Sequence, residues 1–153
     1  SNESCVDRVN GFLDGLGDSK DKFKIVAQQD GGAALDKSMG LAEDIITATP
    51  NLDAFFCIND PSALGAAAAI KAANKTGKIG VYSIDASPDG KQALLDGEFT
   101  AVACQVPVQI AEYSFNEAVK YVNGDTKIDE KKVYLDSHLV LKDEAEKTLK
   151  EWQ

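Results

Sequence analysis

The chain has 153 residues, a formal net charge of −9, 44% hydrophobic and 27% charged residues. That length suits one ordinary domain or a large piece of something bigger, with enough apolar residues for a core. The acidic balance leaves no basic footprint for DNA or RNA, and no stretch approaches the roughly 20 apolar residues that span a bilayer.

In chain order, Ser4 to Leu16 reads as a helix closed by Gly15 and Gly17. The run FKIVAQ (Phe23 to Gln28) reads as a strand, and Asp30-Gly31-Gly32 as a loop. Leu35, Met39, Ala42 and Ile46 recur at helical spacing on one apolar face, which Pro50 ends. A strand over 54–58 leads into an Ala-rich helix from Pro61 to Ala73. Asn74 to Lys78 is a polar turn before a strand at 80–84, and Pro88 starts a short helix closing at Gly97. A strand at 100–104 precedes a longer helix from Pro107 to Val122, with Ala111, Phe115, Ala118, Val119 and Val122 on one face. NGDTKIDEKK is a polar turn or linker, SHLVLK a last strand-like run, and a charged helix ends near Trp152. Alternating strands and helices define an α/β fold, a Rossmann-like parallel sheet with helices on both faces. The continuous apolar runs suit strands buried on both sides.

Three of those runs finish on hydrogen-bonding side chains: Asn59, Asp85 and Gln105. In open parallel sheets ligands bind beyond the carboxyl ends of the strands, so neighbouring strands would bring the three to one mouth. Capping competes. Asp60 before Pro61 is a good N-cap, and Asp85 or Ser87 can cap the helix at Pro88, but capping does not explain all three strand ends. Two amides and a carboxylate suit a neutral polyhydroxylated ligand, whose hydroxyls donate and accept. Asp85 could act as a nucleophile, yet no acid/base partner is visible, and the lone His138 reads as structural. No phosphate loop, G-x-S-x-G, H-E-x-x-H or paired metal-ligand spacing occurs. Cys5, Cys57 and Cys104 lack zinc spacing; the last two sit in apolar runs as small hydrophobes, leaving Cys5 as the accessible thiol. SNESCVDRV is no secretory leader, which does not argue for the cytoplasm because a mature chain lacks one too.

The segments FFCINDPSALGAAAAIKAA and VYSIDASPDGKQALLDGEFTAVACQVPVQIAEYSFNEAVKYVNG resemble the C-terminal half of ribose-type periplasmic sugar-binding proteins, the substrate-binding components of bacterial ABC importers. The likeness runs from DRVNGF to the VLK tail. It implies the lobe of a type I periplasmic binding protein, in which two Rossmann-like lobes close over a sugar. It implies ligand contacts at Asn59, Asp85 and Gln105, and at Arg8, which the residues alone read as a solvated helix position. It also implies no metal, no cofactor and no catalysis. The expected partners are a monosaccharide, pentose or hexose, and an ABC permease in the full-length protein, in the periplasm or on a surface lipoprotein. By the same resemblance residues 1–105 form the C-terminal lobe, 106–134 cross a hinge into the other lobe, and 135–153 return as a strand and helix. The N-terminal lobe is not in this chain, so self-association of the piece is expected. Ala33 falls where ribose binders place a stacking aromatic, which leaves the sugar open, with Asp30 as a substitute polar contact. Ala86 stands where the family often has glycine. The effector domain of a lactose-repressor-type regulator is the alternative, and a small enzyme using Asp85 a third reading.

Overall fold

The computed structural model describes residues 3–125 and 133–152. Helices α1 (Glu3–Gly15) and α2 (Leu35–Ala48) precede the first strand, β1 (Ala54–Phe56). Helix α3 (Asp60–Ala72), β2 (Gly80–Asp85), α4 (Pro88–Leu95), β3 (Ala101–Cys104) and α5 (Pro107–Val122) follow in alternation. A two-residue strand, β4 (Leu139–Val140), and a short helix, α6 (Lys142–Lys147), complete the described chain. The strands lie in the order β1-β2-β3-β4. The first three are parallel, with Phe55 opposite Val81 and Ser83 opposite Val102. β4 is antiparallel to β3, Val102 facing Val140, so the sheet is mixed where the sequence predicts a parallel one.

Alternation along the strands divides the sheet into two unlike faces. Val81, Val102 and Val140 are fully buried and join α3, α4 and Ala145 of α6 in one core. The opposite face carries Phe56, Tyr82, Ala103 and Leu139, and α1 covers part of it. The Phe12 ring stacks on Phe56 with centroids 4.3 Å apart, a contact worth about 1 kcal/mol beyond its area. Beside α1 lies an apolar cavity of about 380 Å³, lined among others by Arg8, Phe12, Phe56, Tyr82, Ala103 and Leu139.

Helix α3 is built from small residues because α2 crosses it closely. A Cβ on Gly65 would meet the Leu35 carbonyl oxygen and stand 2.9 Å from the Met39 nitrogen. The buried stripe of α2 is therefore Ser38, Ala42 and Ile46, with Leu35 39% exposed, although periodicity places Leu35 on it. Only the short serine fits at the crossing.

FKIVAQ is not a strand. Residues 23–28 belong to no helix and enter no ladder, and Phe23, Ile25 and Val26 are 58%, 53% and 44% exposed. Strand propensity is realised only by pairing, and no strand among the described residues lies beside this run. The SHLVLK run shrinks to two ladder residues, and the terminal helix ends at Lys147 rather than near Trp152. The apolar face of α5 forms as the periodicity predicts, yet none of its side chains is buried. The linker expectation for NGDTKIDEKK falls largely on residues 126–132, outside the described residues.

Lys91 is fully buried. Its ammonium donates to the carbonyl oxygens of Thr148 and Glu151, at 2.8 and 2.6 Å, tying the segment after α6 to α4. Burial lowers its pKa, against the pull of Glu144 and Glu151. His138 bridges two elements: Nδ1 lies 3.2 Å from Cys104 Sγ and Nε2 lies 2.7 Å from Glu144 Oε1, a structural use of the chain's one histidine. Cys104 is buried, and desolvation pushes the Cys57 thiol up to about 12. An alkylating reagent at pH 8 is expected to modify Cys5 and spare Cys57 and Cys104 until the chain unfolds. Mass spectrometry of the labelled peptides reads this directly; early labelling of Cys57 would contradict it.

Candidate functional site

The carboxyl ends of the parallel strands β1, β2 and β3 share one edge, and α1 reaches it through Arg8. β2 ends on Asp85 (φ 133°) followed by Ala86 (φ 57°), both in the left-handed half of backbone space. Such residues cost on the order of 1–3 kcal/mol each and persist only where their surroundings fix them. A positive φ also explains why glycine would sit comfortably at the position of Ala86.

Arg8 reaches the edge from α1. Its Nη1 donates to the Ile58 carbonyl oxygen at 2.6 Å and lies 3.1 Å from Asp85 Oδ1. Both side chains are largely shielded, at 18% and 17% exposure. The Asp85 carboxyl is raised above its ordinary pKa chiefly by burial, which outweighs the opposing charge of Arg8 and the N–H of Asp60. The other Asp85 oxygen accepts from that Asp60 N–H at 3.4 Å. Gln105 stands next to Asp85, its backbone N–H donating to the Asp85 carbonyl oxygen at 3.0 Å. Among the described residues the Gln105 side-chain amide has no hydrogen-bond partner and is half-buried.

Asn59 sits at the same edge but is engaged locally. Its Oδ1 accepts from the Ser62 N–H at 3.1 Å and its Nδ2 donates to the Ala33 carbonyl oxygen at 3.3 Å. It is therefore the N-cap of α3, the role the sequence assigns to Asp60. Asp60 lies one residue inside the helix and is buried, its oxygens accepting from Ser83 and Ser87. Ser87, not Asp85, caps α4. Asp30 is also in local use, Oδ1 accepting from the Gly32 N–H at 2.8 Å.

The structure thus joins Arg8 to Asp85, sets the backbone of Gln105 against Asp85, and places Asn59 at the same edge with both side-chain polar atoms occupied. The inward set of Asp60, Ser83 and Ser87 escaped sequence reading. Its only signal was two serines flanking the Ile-Asp-Ala strand end. Among the described residues no group of His, Cys, Asp or Glu is arranged to hold a metal ion. The edge offers a partly shielded cation–carboxylate pair, and Gln105, next to Asp85 along the edge, carries an amide; both chemistries suit hydroxyl groups that donate and accept. The cavity beside α1 shares Arg8 with this edge but is otherwise lined mainly by apolar side chains.

Polar residues at the carboxyl edge of a parallel sheet stand where open α/β folds bind their ligands. The chain belongs to the periplasmic binding protein domain family, whose model matches residues 1–126. It is 34% identical over 104 residues to the ribose import binding protein RbsB of Salmonella typhimurium, covering 68% of this chain and 35% of that one. It is 32% identical over 124 residues to a D-ribose/D-allose-binding protein of Pseudomonas aeruginosa, covering 81% and 38%. Among solved structures, a galactofuranose binding protein superposes with a TM-score of 0.85 at 32% identity, covering 94% of this chain and 49% of that one. The myo-inositol binding protein of Caulobacter, bound to myo-inositol, superposes with a TM-score of 0.84 at 28% identity, covering 93% and 48%. The chain therefore spans half or less of the length of these relatives. They are binding proteins rather than enzymes, and nothing in these matches supports the repressor alternative.

Proposed function

We propose that this chain is one lobe of an extracytoplasmic receptor that delivers a monosaccharide or similar polyol to an ABC importer, without catalysis. The observation that carries the reading is the shielded Arg8–Asp85 pair, 3.1 Å apart at the end of β2. Arg8 and Asp85 supply charge-assisted hydrogen bonds, Gln105 donates and accepts beside them, and Asn59 contributes by releasing its bond to Ala33. Closure of a second lobe would complete the shell and shift an open–closed equilibrium. The relatives' names point to ribose, allose and inositol as first probes.

The test is a thermal-shift panel of D-ribose, D-allose, myo-inositol and further pentoses and hexoses on the full-length protein. At a hundred times Kd a true ligand adds about 2.7 kcal/mol of stability, a shift of several degrees. A panel in which no member moves the transition would sink the reading.

The raised Asp85 pKa gives a second expectation with opposite signs. A folded-state value above the unfolded one means that ionised Asp85 costs stability, relief being complete at low pH and lost as pH rises through the folded value. Asp85→Asn should therefore be at least as stable as the parent at pH 7, with the gap closing on acidification, while its sugar affinity is lost. Parent affinity should itself decline on acidification at a higher pH than an ordinary aspartate would dictate. Paired melts and titrations between pH 4 and 8 measure both; an Asn variant that is destabilised yet binds normally contradicts them.

We further infer that residues 106–134 belong with a second lobe, though 126–132 lie outside the described residues. Support comes from α5, where Phe115 and Val122 are 69% and 82% exposed. In isolation this helix should drive copies together. Sedimentation velocity at rising concentration is expected to show a growing dimer or larger species; a monomer throughout would refute it.

A further inference from the structure

Asp60 is an acidic residue almost wholly buried, at 1% exposure, and it makes none of the contacts proposed for the sugar. Its three bonds share a pattern. Oδ1 accepts from Ser83 Oγ–H at 2.6 Å, and Oδ2 accepts from the Ser87 backbone N–H at 2.8 Å and Ser87 Oγ–H at 2.6 Å. Its own backbone N–H reaches Asp85 Oδ2 at 3.4 Å. Residues 83, 85 and 87 are thus gripped from one side, while Asp85 and Ala86 between them carry the positive φ values. A carboxylate is the one side chain there with lone pairs enough for all three donors and no N–H to oppose them. The molecule also leaves this group no room to move. A Cβ on Gly90 would run into the Asp60 carboxylate, so α4 approaches it with a residue that has none.

We propose that Asp60 is the positioning residue of the binding edge: its buried carboxylate clamps Ser83 and Ser87, holds the Asp85–Ala86 backbone in its left-handed turn, and so aims the Asp85 carboxylate at Arg8 and the ligand. This rests on the sugar-binding reading of the same edge. It assigns Asp60 a part in ligand selection through geometry, not through contact. Because the grip is distributed over two serines, an amide oxygen can keep the Ser87 half of it, with the amide N–H group turned to the Ser83 hydroxyl oxygen. Geometry and charge can therefore be separated.

The test compares Asp60→Ala, Asp60→Asn and Gly90→Ala. The φ of Ala86 is read from NMR scalar couplings in this chain, and the affinity for D-ribose, D-allose and myo-inositol is measured in the full-length protein. Asp60→Ala is expected to change the Ala86 couplings and weaken sugar binding at least tenfold. Asp60→Asn should keep most of both. Gly90→Ala should reproduce the Asp60→Ala result without altering the carboxylate, and it carries the test if Asp60→Ala fails to fold. Putting Ala86→Gly into the Asp60→Ala background should recover part of the affinity, since glycine needs no clamp for a positive φ. Unchanged couplings in Asp60→Ala and Gly90→Ala, or Asp60→Asn behaving like Asp60→Ala, would overturn the proposal. If the parent binds none of the wider panel of pentoses, hexoses and inositol, the sugar reading fails, and the Ala86 couplings alone decide whether Asp60 sets the turn.

Discussion

Arg8→Ala is expected to weaken sugar binding by about 100-fold, roughly 2.7 kcal/mol, and to cost the free protein some stability as well. Arg8 is bonded to the Ile58 carbonyl oxygen and paired with Asp85, so it shapes the edge, and in the proposed function it also donates to the ligand. Hydrogen bonds involving a charged group contribute about 1.5–3 kcal/mol each, and losing two toward a sugar accounts for the predicted factor. In the empty protein the truncation strips a largely shielded carboxylate of its paired cation, pushing the Asp85 pKa further upward and leaving the Ile58 carbonyl one donor short. Arg8→Lys separates these effects. The charge survives near Asp85, but the planar fork that can serve Ile58, Asp85 and a hydroxyl together does not. Its stability should stay near the parent's while most of the affinity is lost. Isothermal titration on both variants checks this, and an Arg8→Ala protein that binds as the parent does would remove Arg8 from the site.

The largest effect on stability is expected at Gly65. A methyl group there would meet backbone on α2, the Leu35 carbonyl oxygen and, at 2.9 Å, the Met39 nitrogen, with Ser38 Cβ at 3.1 Å. No flexible side-chain end is available to yield, so the two helices must separate along a crossing lined by Ala42, Ile46, Ala66 and Ala69. Gly65→Ala should cost about 3 kcal/mol and lower Tm by roughly 10 °C. A methyl group on Gly40, in the middle of α2, would meet nothing within 4 Å. There the same substitution should stabilise by about 0.5–1 kcal/mol. Thermal melts of the pair decide between these expectations: equal shifts would mean that the close crossing has no energetic consequence.

The three parallel strands and the helices between them were legible because their signals are local. A Pro marks the start of α3, α4 and α5, and apolar runs mark β1, β2 and β3. FKIVAQ carried the same local signal and failed, since a strand also needs a neighbour, which no window of sequence displays. β4 shrank and reversed for a related reason: its direction depends on how the chain returns after α5. At the edge of the sheet, the placement of Asp85 and Gln105 followed from the ends of their strands, whereas attention to Arg8 came only from the family resemblance, since it is one charged residue on an amphipathic helix. The exchange of roles between Asn59 and Asp60 was invisible. Both residue types cap helices, and what decides between them is the presence of Ser83 and Ser87, residues distant in sequence, around the second carboxylate.

The buried Lys91 sets an order of events during synthesis. Its acceptors are the carbonyls of Thr148 and Glu151, and the outer edge of β3 waits for Val140. At about 5–20 residues per second, roughly 2–10 s separate the appearance of β3 from that of Glu151. Through that interval the nascent lobe carries an ammonium with no carbonyl to meet and a strand with no outer neighbour. The core between α4 and the sheet therefore closes late, and a ribosome stalled in this stretch would hold an open, aggregation-prone intermediate.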